Sequence, residues 1–277
     1  MFGSIVSHGK DQDRHGHCVR VDLGMRCELA ANLSSPSQRA RVLTEAWVED
    51  NMYCPACESD SLDRLARGTR LLDFRCGDCE EGFQLKAQRH AFGKRVLDSA
   101  WSVMHEAVTS GSAPGFLFVR YDSTACRVSQ MFVVPGHFVT PMVIEKRPPL
   151  REHAQRAHWI GCNILLENIP AAARIAVVEA PSIHPAREVR EHWRRFAFVK
   201  KAQQRAPGWV GDVLACVQRL GKPSFTLHEL YAFEDELKSL HPENQNIQAK
   251  IRQQLQVLRD RRIVRFLGRG TYSVTEG

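Results

Sequence analysis

Apolar residues recur along this chain with two different periods, and the change from one to the other organises it. Behind Ser35 and Pro36, a residue suited to a first turn, Ala40, Val42, Leu43, Ala46 and Trp47 return at helical spacing and predict a helix that carries Glu45. Val96, Leu97, Ala100, Trp101 and Met104 predict a second helix over 93–107, closed by the Gly111 to Pro114 turn. FLFV (Phe116 to Val119), MFVV (Met131 to Val134) and RIAVVE (Arg174 to Glu179) are short runs bounded by turn residues and read as buried strands. Residues 138–150 are Pro-rich and read as extended, and 185–196 read as a helix. The basic stretch KKAQQRAP at 200–207 reads as a linker between a domain over 34–199 and a smaller one over 208–277.

In that smaller unit the helical period returns. Residues 210–220 form one apolar face, Thr226 caps a second helix through Leu240, and a third starts at Asn244 or Asn246 with Ile247, Ile251, Leu255 and Leu258 on one stripe. Two short strands then flank Gly268-Arg269-Gly270. Three helices followed by a hairpin is the winged-helix plan, a helix-turn-helix variant whose third helix enters a DNA major groove. Residues 1–33 show no period and read as a leader without packed structure, in which His15, His17 and Cys18 lie close together but have no second ligand pair at a finger-like distance.

Composition narrows the class. With 277 residues, 43% hydrophobic and 25% charged, the chain can bury a full core. No apolar run is long enough to span a bilayer and the first thirty residues are too polar for a signal peptide, so a soluble, cytoplasmic protein without a membrane partner is expected. An excess of 38 Lys plus Arg over 31 Asp plus Glu gives a net charge of +7, which suits a polyanionic partner. Nine cysteines make a disulfide framework a poor expectation and metal ligation the better use of clustered ones.

The clusters are specific. Cys54 and Cys57 (CPAC) and Cys76 and Cys79 (CGDC) are two C-x-x-C pairs eighteen residues apart, the spacing of a closed four-sulfur structural Zn2+ site. The second pair lies in LDFRCGDCEEGFQLK, Leu72 to Lys86. A hairpin centred between Asp78 and Cys79 sets Asp73 opposite Gln84, and a period of two puts Lys86 on the face of Gln84. Acid, partner and Lys in that order is the pattern of metal-dependent nucleases, in which oxygen ligands hold Mg2+ against a phosphate and the Lys serves the attacking water. Taken alone the spacing is weak, since a solvent-facing Lys on an exposed sheet explains it as well.

The polar side of the third helix in the smaller unit holds Lys250, Arg252, Gln253, Gln254, Arg259 and Arg262, with Arg265 and Arg269 on the hairpin. Gln beside Arg suits base edges as well as phosphates, so this face is expected to bind DNA. In RAHWIGCNI, Arg156, Trp159 and Asn163 follow a basic stretch and are candidate DNA contacts, with a core position as the other reading of Trp159.

Over Ser35 to Val274 the chain resembles the methyl-directed restriction endonucleases of the DpnI type. The resemblance lies in SQRARVLTEAWV (Ser37 to Val48), the two cysteine pairs, HFVTP (His137 to Pro141), WIGCNI (Trp159 to Ile164) and IRQQLQVLRD (Ile251 to Asp260). It implies an α/β (α+β) PD-(D/E)xK nuclease domain with an inserted zinc knuckle and a C-terminal winged helix. The implied activity is cleavage of double-stranded DNA at GATC carrying N6-methyladenine, with both domains reading the methylated site and the protein a monomer in solution. By the same resemblance Asp73, Gln84 and the Leu85 carbonyl would hold catalytic Mg2+, Lys86 would be the catalytic lysine, and Glu45 on the first helix would supply a further carboxylate. The chain departs from the pattern at Gln84, where the family carries Glu; a neutral amide oxygen removes one negative charge from the metal shell. Two other readings follow: a weak or inactive reader of methylated DNA, and a zinc-containing winged-helix transcription regulator.

Overall fold

The computed structural model describes residues 21–152, 157–203 and 208–275. His15, His17, Cys18 and Arg156, and part of the 200–207 linker, lie outside them. In chain order the elements are α1 (Pro36–Asn51), β1 (Asp63–Arg64), β2 (Phe74–Arg75), β3 (Gly82–Gln88), β4 (Arg95–Ala100), α2 (Trp101–Thr109), β5 (Gly115–Asp122), β6 (Arg127–Val134), β7 (Ile144–Lys146), β8 (Gly161–Leu165), β9 (Ile175–Glu179), β10 (Ser182–Ile183) and α3 (Ala186–Arg195). There follow α4 (Ala197–Gln203), α5 (Trp209–Leu220), β11 (Ser224–Thr226), α6 (Leu227–Tyr231), α7 (Glu234–Leu240), α8 (Ile247–Asp260), β12 (Val264–Gly268) and β13 (Thr271–Val274).

These elements pack as two compact units. The first comprises the described residues within Met1–Phe92, together with Gly115–Val134 and Ile175–Arg195; the second comprises Gly93–Pro114, Pro135–Arg174 and Phe196–Gly277. The first unit is a mixed sheet in the order β1-β2-β3-β5-β6-β9-β10, in which β3 and β5 run parallel and the other neighbours antiparallel. Ser35 caps α1 by accepting from the Gln38 N–H, and Trp47 and Val48 carry its apolar face into the core. Ala186, Val189 and Trp193 of α3 enter the same core, at the i, i+3, i+7 spacing that one helix face requires. Residues 21–33, expected in the leader, pack here as well: Leu23 and Ala30 are buried, and the Trp47 indole donates to the Asp22 carbonyl at 2.7 Å. Cys27 and Cys126 are joined by one disulfide, while Cys54, Cys57, Cys76, Cys79, Cys162 and Cys216 form none.

The second unit holds a three-stranded sheet, β4-β8-β7, and the C-terminal helices with their own sheet, β11-β13-β12. Residues 93–107 do not form one helix. β4 pairs antiparallel with β8, Val96 turns inward, Leu97 is 65% exposed, and the helix begins only at Trp101. The apolar spacing there fits both periods, and the hydrogen bonds offered by β8, more than sixty residues away in sequence, decide between them. The stretch 138–150 also contains β7 rather than extended chain alone. Thr226 and Glu229 form a reciprocal capping box, but the helix they open ends at Tyr231, and α7 restarts at Glu234. No helix among the described residues is long and apolar enough to cross a membrane.

Candidate functional site

In the first unit β2 and β3 pair Phe74 with Phe83 and Arg75 with Gly82, which continues to Asp73 opposite Gln84 as the hairpin centre requires. The Asp73 N–H donates to the Phe83 carbonyl at 2.8 Å, and the Asp73 carboxylate accepts from the Leu85 N–H at 2.7 Å through Oδ2. Phe83, Leu85 and Ala87 face the core under α1 and α3. Gln84 and Lys86 alternate onto the other face, beside Phe116 and Phe118 of β5, and the Lys86 ammonium lies 5.8 Å from the centre of the Phe116 ring.

Gln84 is 8% exposed, and its Oε1 has no hydrogen-bond donor. A buried amide oxygen left without a donor is costly, and such oxygens are rare unless a water or an ion takes the lone pairs. Glu45 arrives from α1. Burial pushes its carboxyl above the ordinary carboxylate range against the pull of Arg64 and Arg41, and the neighbouring charge of Asp73 adds to the rise. Arg64 Nη2 lies 2.5 Å from Glu45 Oε2 and Arg41 Nε lies 3.8 Å from Oε1. Asp73, Gln84 and Glu45 are hard oxygen donors, the type Mg2+ takes, so they suit that ion by donor type. Arg64 was not anticipated. Its only signal in the sequence is a polar ribbon between the cysteine pairs, and tertiary folding alone brings β1 to α1.

The four knuckle cysteines converge at the end of the same hairpin. All four sulfurs lie within 4.8 Å of one another, with Cys54 to Cys79 at 3.6 Å and Cys57 to Cys76 at 3.5 Å. A tetrahedral zinc with Zn–S of about 2.3 Å has S···S edges of about 3.8 Å, so the set is positioned for one ion. The Ala56 and Ser59 N–H groups point at Cys54 and Cys57 Sγ, and Glu80 takes a left-handed φ of 61° to close the second knuckle. Burial raises the Cys76 thiol, but the N–H groups of Cys79 and Asp78 outweigh it and bring it to about 7. Arg190 of α3, 1% exposed, donates to the carbonyls of Cys54 at 3.2 Å and Ser59 at 2.9 Å and pairs with Glu58 at 3.0 Å. It lies on the core-facing stripe of α3 with Ala186, Val189 and Trp193, and an Arg at such a position is the signal that could have revealed it.

In the second unit the expected DNA contacts separate. Trp159 is half-buried with its ring close against Gly161, and Asn163 donates to Glu145 at 2.8 Å, where Arg95 also makes a bidentate pair. On α8, Arg252 and Gln253 are exposed, with Arg252 donating to the Tyr231 hydroxyl at 2.7 Å, while Lys250 lies 5.9 Å from the Trp209 ring centre. Arg259 pairs with Asp260, and Arg262, Arg265 and Arg269 are exposed. Gln254 corrects the expectation of an exposed polar face. It lies three residues past Ile251 and four before Leu258, which turns it inward to 4% exposure.

A mixed α/β domain with a four-cysteine cluster, followed by a helix-turn-helix domain, is thus the class that fold and site define. Comparison with known families agrees: residues 21–202 match the DpnI model, described as the Dam-replacing family, and residues 204–274 match its Dam-replacing HTH domain. The chain belongs to the DpnI family, whose members are restriction endonucleases.

Proposed function

We propose that this protein is a metal-dependent endonuclease that hydrolyses duplex DNA at GATC sites carrying N6-methyladenine. Its catalytic domain would follow the PD-(D/E)xK plan, with both domains reading the methylated site. The observation that carries the reading is the buried, donor-free Gln84 Oε1 on the strand beside the Asp73 carboxylate, with Lys86 two residues on along the same face. Asp73, Gln84, the Leu85 carbonyl and Glu45 would hold Mg2+, and Cys54, Cys57, Cys76 and Cys79 a structural Zn2+. A divalent ion, when bound, polarises a phosphate oxygen and makes a metal-bound water acidic. Asp73 is held in place by the Leu85 N–H, so its free oxygen is presented without side-chain reorganisation. Lys86, its ammonium over the Phe116 ring, presents that charge to the phosphate and steadies the charge that develops there. In the second unit, the exposed Arg252, Gln253 and Arg259, with Arg262, Arg265 and Arg269, supply phosphate and base-edge contacts.

The substitution at Gln84 favours a second reading, a methylated-DNA reader that cuts slowly or not at all, because the shell has one carboxylate fewer than the family pattern. Digestion of methylated and unmethylated GATC duplexes in Mg2+ or Mn2+ separates the two. Cutting confined to methylated DNA, and lost in Lys86→Ala, is the expected result. Methyl-specific binding without cutting at any ion concentration would leave the reader instead.

A further inference from the structure

Five large apolar side chains stand exposed among the described residues, and three of them, Phe266, Leu267 and Val274, lie on the β12–β13 hairpin. Phe266 is 45% and Leu267 50% exposed, at the end of an outer strand and next to its tip. They are not loose ends. The Phe266 ring leans on Tyr272 at 5.2 Å, Tyr272 stacks on Phe225 at 5.7 Å, and the strand register shifts between Phe266 and Gly268, which turns the chain at Leu267.

Arginines bracket this apolar edge. Arg265 precedes it and Arg269 follows at the tip, both exposed and neither paired with an acid among the described residues. Arg269 holds a left-handed φ of 46° between two glycines, in a backbone conformation that an Arg adopts at some cost and that Gly or Asn would fill more easily.

We infer that the hairpin is a minor-groove wedge, with Phe266 and Leu267 entering between base steps and bending the duplex while Arg265 and Arg269 hold the flanking phosphates. This rests on the reading of α8 as a duplex-binding helix. A helix seated in the major groove brings the hairpin that follows it toward the adjoining minor groove. An apolar side chain between flanking cations is the combination that opens a base step there: burial of the ring offsets unstacking, and the arginines follow the narrow groove's negative potential. Arginines without acid partners among the described residues also make the edge a poor match for another copy of the same basic chain.

The test uses the full chain and an end-labelled duplex with one methylated GATC, without added divalent ion so that the DNA stays whole. Energy transfer between the ends reports bending and anisotropy reports affinity. Wild type shortens the end-to-end distance on binding. Phe266→Ala combined with Leu267→Ala binds about tenfold more weakly, leaves the duplex straight and keeps the salt dependence of binding. Arg269→Ala, in contrast, lowers the slope of log Kd against log salt by about one while bending persists. If the double variant unfolds, Leu267→Ala alone, at a half-exposed position, reduces the bend in part. A double variant that binds and bends like wild type overturns the wedge. So does loss of a self-association, seen by sedimentation without DNA, while bending is kept. A wild type that binds no duplex at all fails earlier, at the reading of α8.

Discussion

At the scale of single residues the site turns on Gln84. Asp73 has its partner in the Leu85 N–H, and Glu45 has Arg64 and Arg41, but the Gln84 amide oxygen is buried with its lone pairs unused. Gln84→Glu places a carboxylate where that oxygen sits and adds a charge of the sign a cation needs. Its expected effect is tighter Mg2+ binding by about tenfold, measured by calorimetry in the absence of DNA, together with a lower Mg2+ requirement for cleavage. An unchanged affinity would place position 84 outside the metal shell. Asp73, Gln84 and Lys86 were legible as a pattern because a two-residue period and one turn centre suffice to align them. Arg64 was not, since it reaches Glu45 across a distance that only the fold closes.

At the scale of elements two features are separable by mutation. The four-cysteine knuckle is held to α3 by Arg190, whose guanidinium donates to two carbonyls beside the cysteines. Arg190→Met keeps the volume but removes the guanidinium donor from the Cys54 carbonyl and leaves the Ser59 carbonyl with the Cys54 N–H alone. It should cost about 3 kcal/mol in denaturant melts and speed zinc loss to a chelator, read by a colorimetric zinc indicator. A variant that holds zinc as long as wild type would show the clamp to be incidental. On α8, neighbouring glutamines have opposite fates: Gln253 faces solvent and Gln254 lies inside with Ile251, Leu255 and Leu258. Gln254→Leu is expected to leave DNA affinity unchanged and stability equal or higher, whereas Gln253→Ala weakens binding by about tenfold. The reverse outcome would place the wrong face of α8 on DNA. Counting residues along the helix assigned the apolar stripe correctly, but Gln254 sits on the border of that stripe, where composition and geometry disagree.

At the scale of the whole molecule, acid sensitivity has an identifiable source in the second unit. His137 is buried, and burial first and the Lys200 charge second depress its pKa from the usual 6.5 to about 3. The unfolded chain therefore takes up a proton below pH 6.5 that the folded chain refuses until about pH 3. Stability is present above pH 6.5 and falls through this window, with a limiting slope of about 1.4 kcal/mol per pH unit from this group. Thermal melts between pH 7 and 5 should show His137→Gln losing less stability on acidification than wild type; parallel curves would assign the acid sensitivity to other groups.

The chain by itself determined what local spacing can encode: the α1 cap and stripe, the two cysteine pairs, the hairpin that sets Asp73 against Gln84, and the α5 and α8 stripes with the closing hairpin. Each needs only neighbours within a few residues or one turn. Tertiary structure decided the rest. β8 made a strand of 95–100 where spacing predicted a helix, α1 brought Glu45 to the hairpin and met Arg64 there, and α3 supplied the clamp on the four-cysteine knuckle. In each case the deciding partner lies tens of residues away, and its hydrogen bonds or charges outweigh a local preference worth less than about 1 kcal/mol per residue.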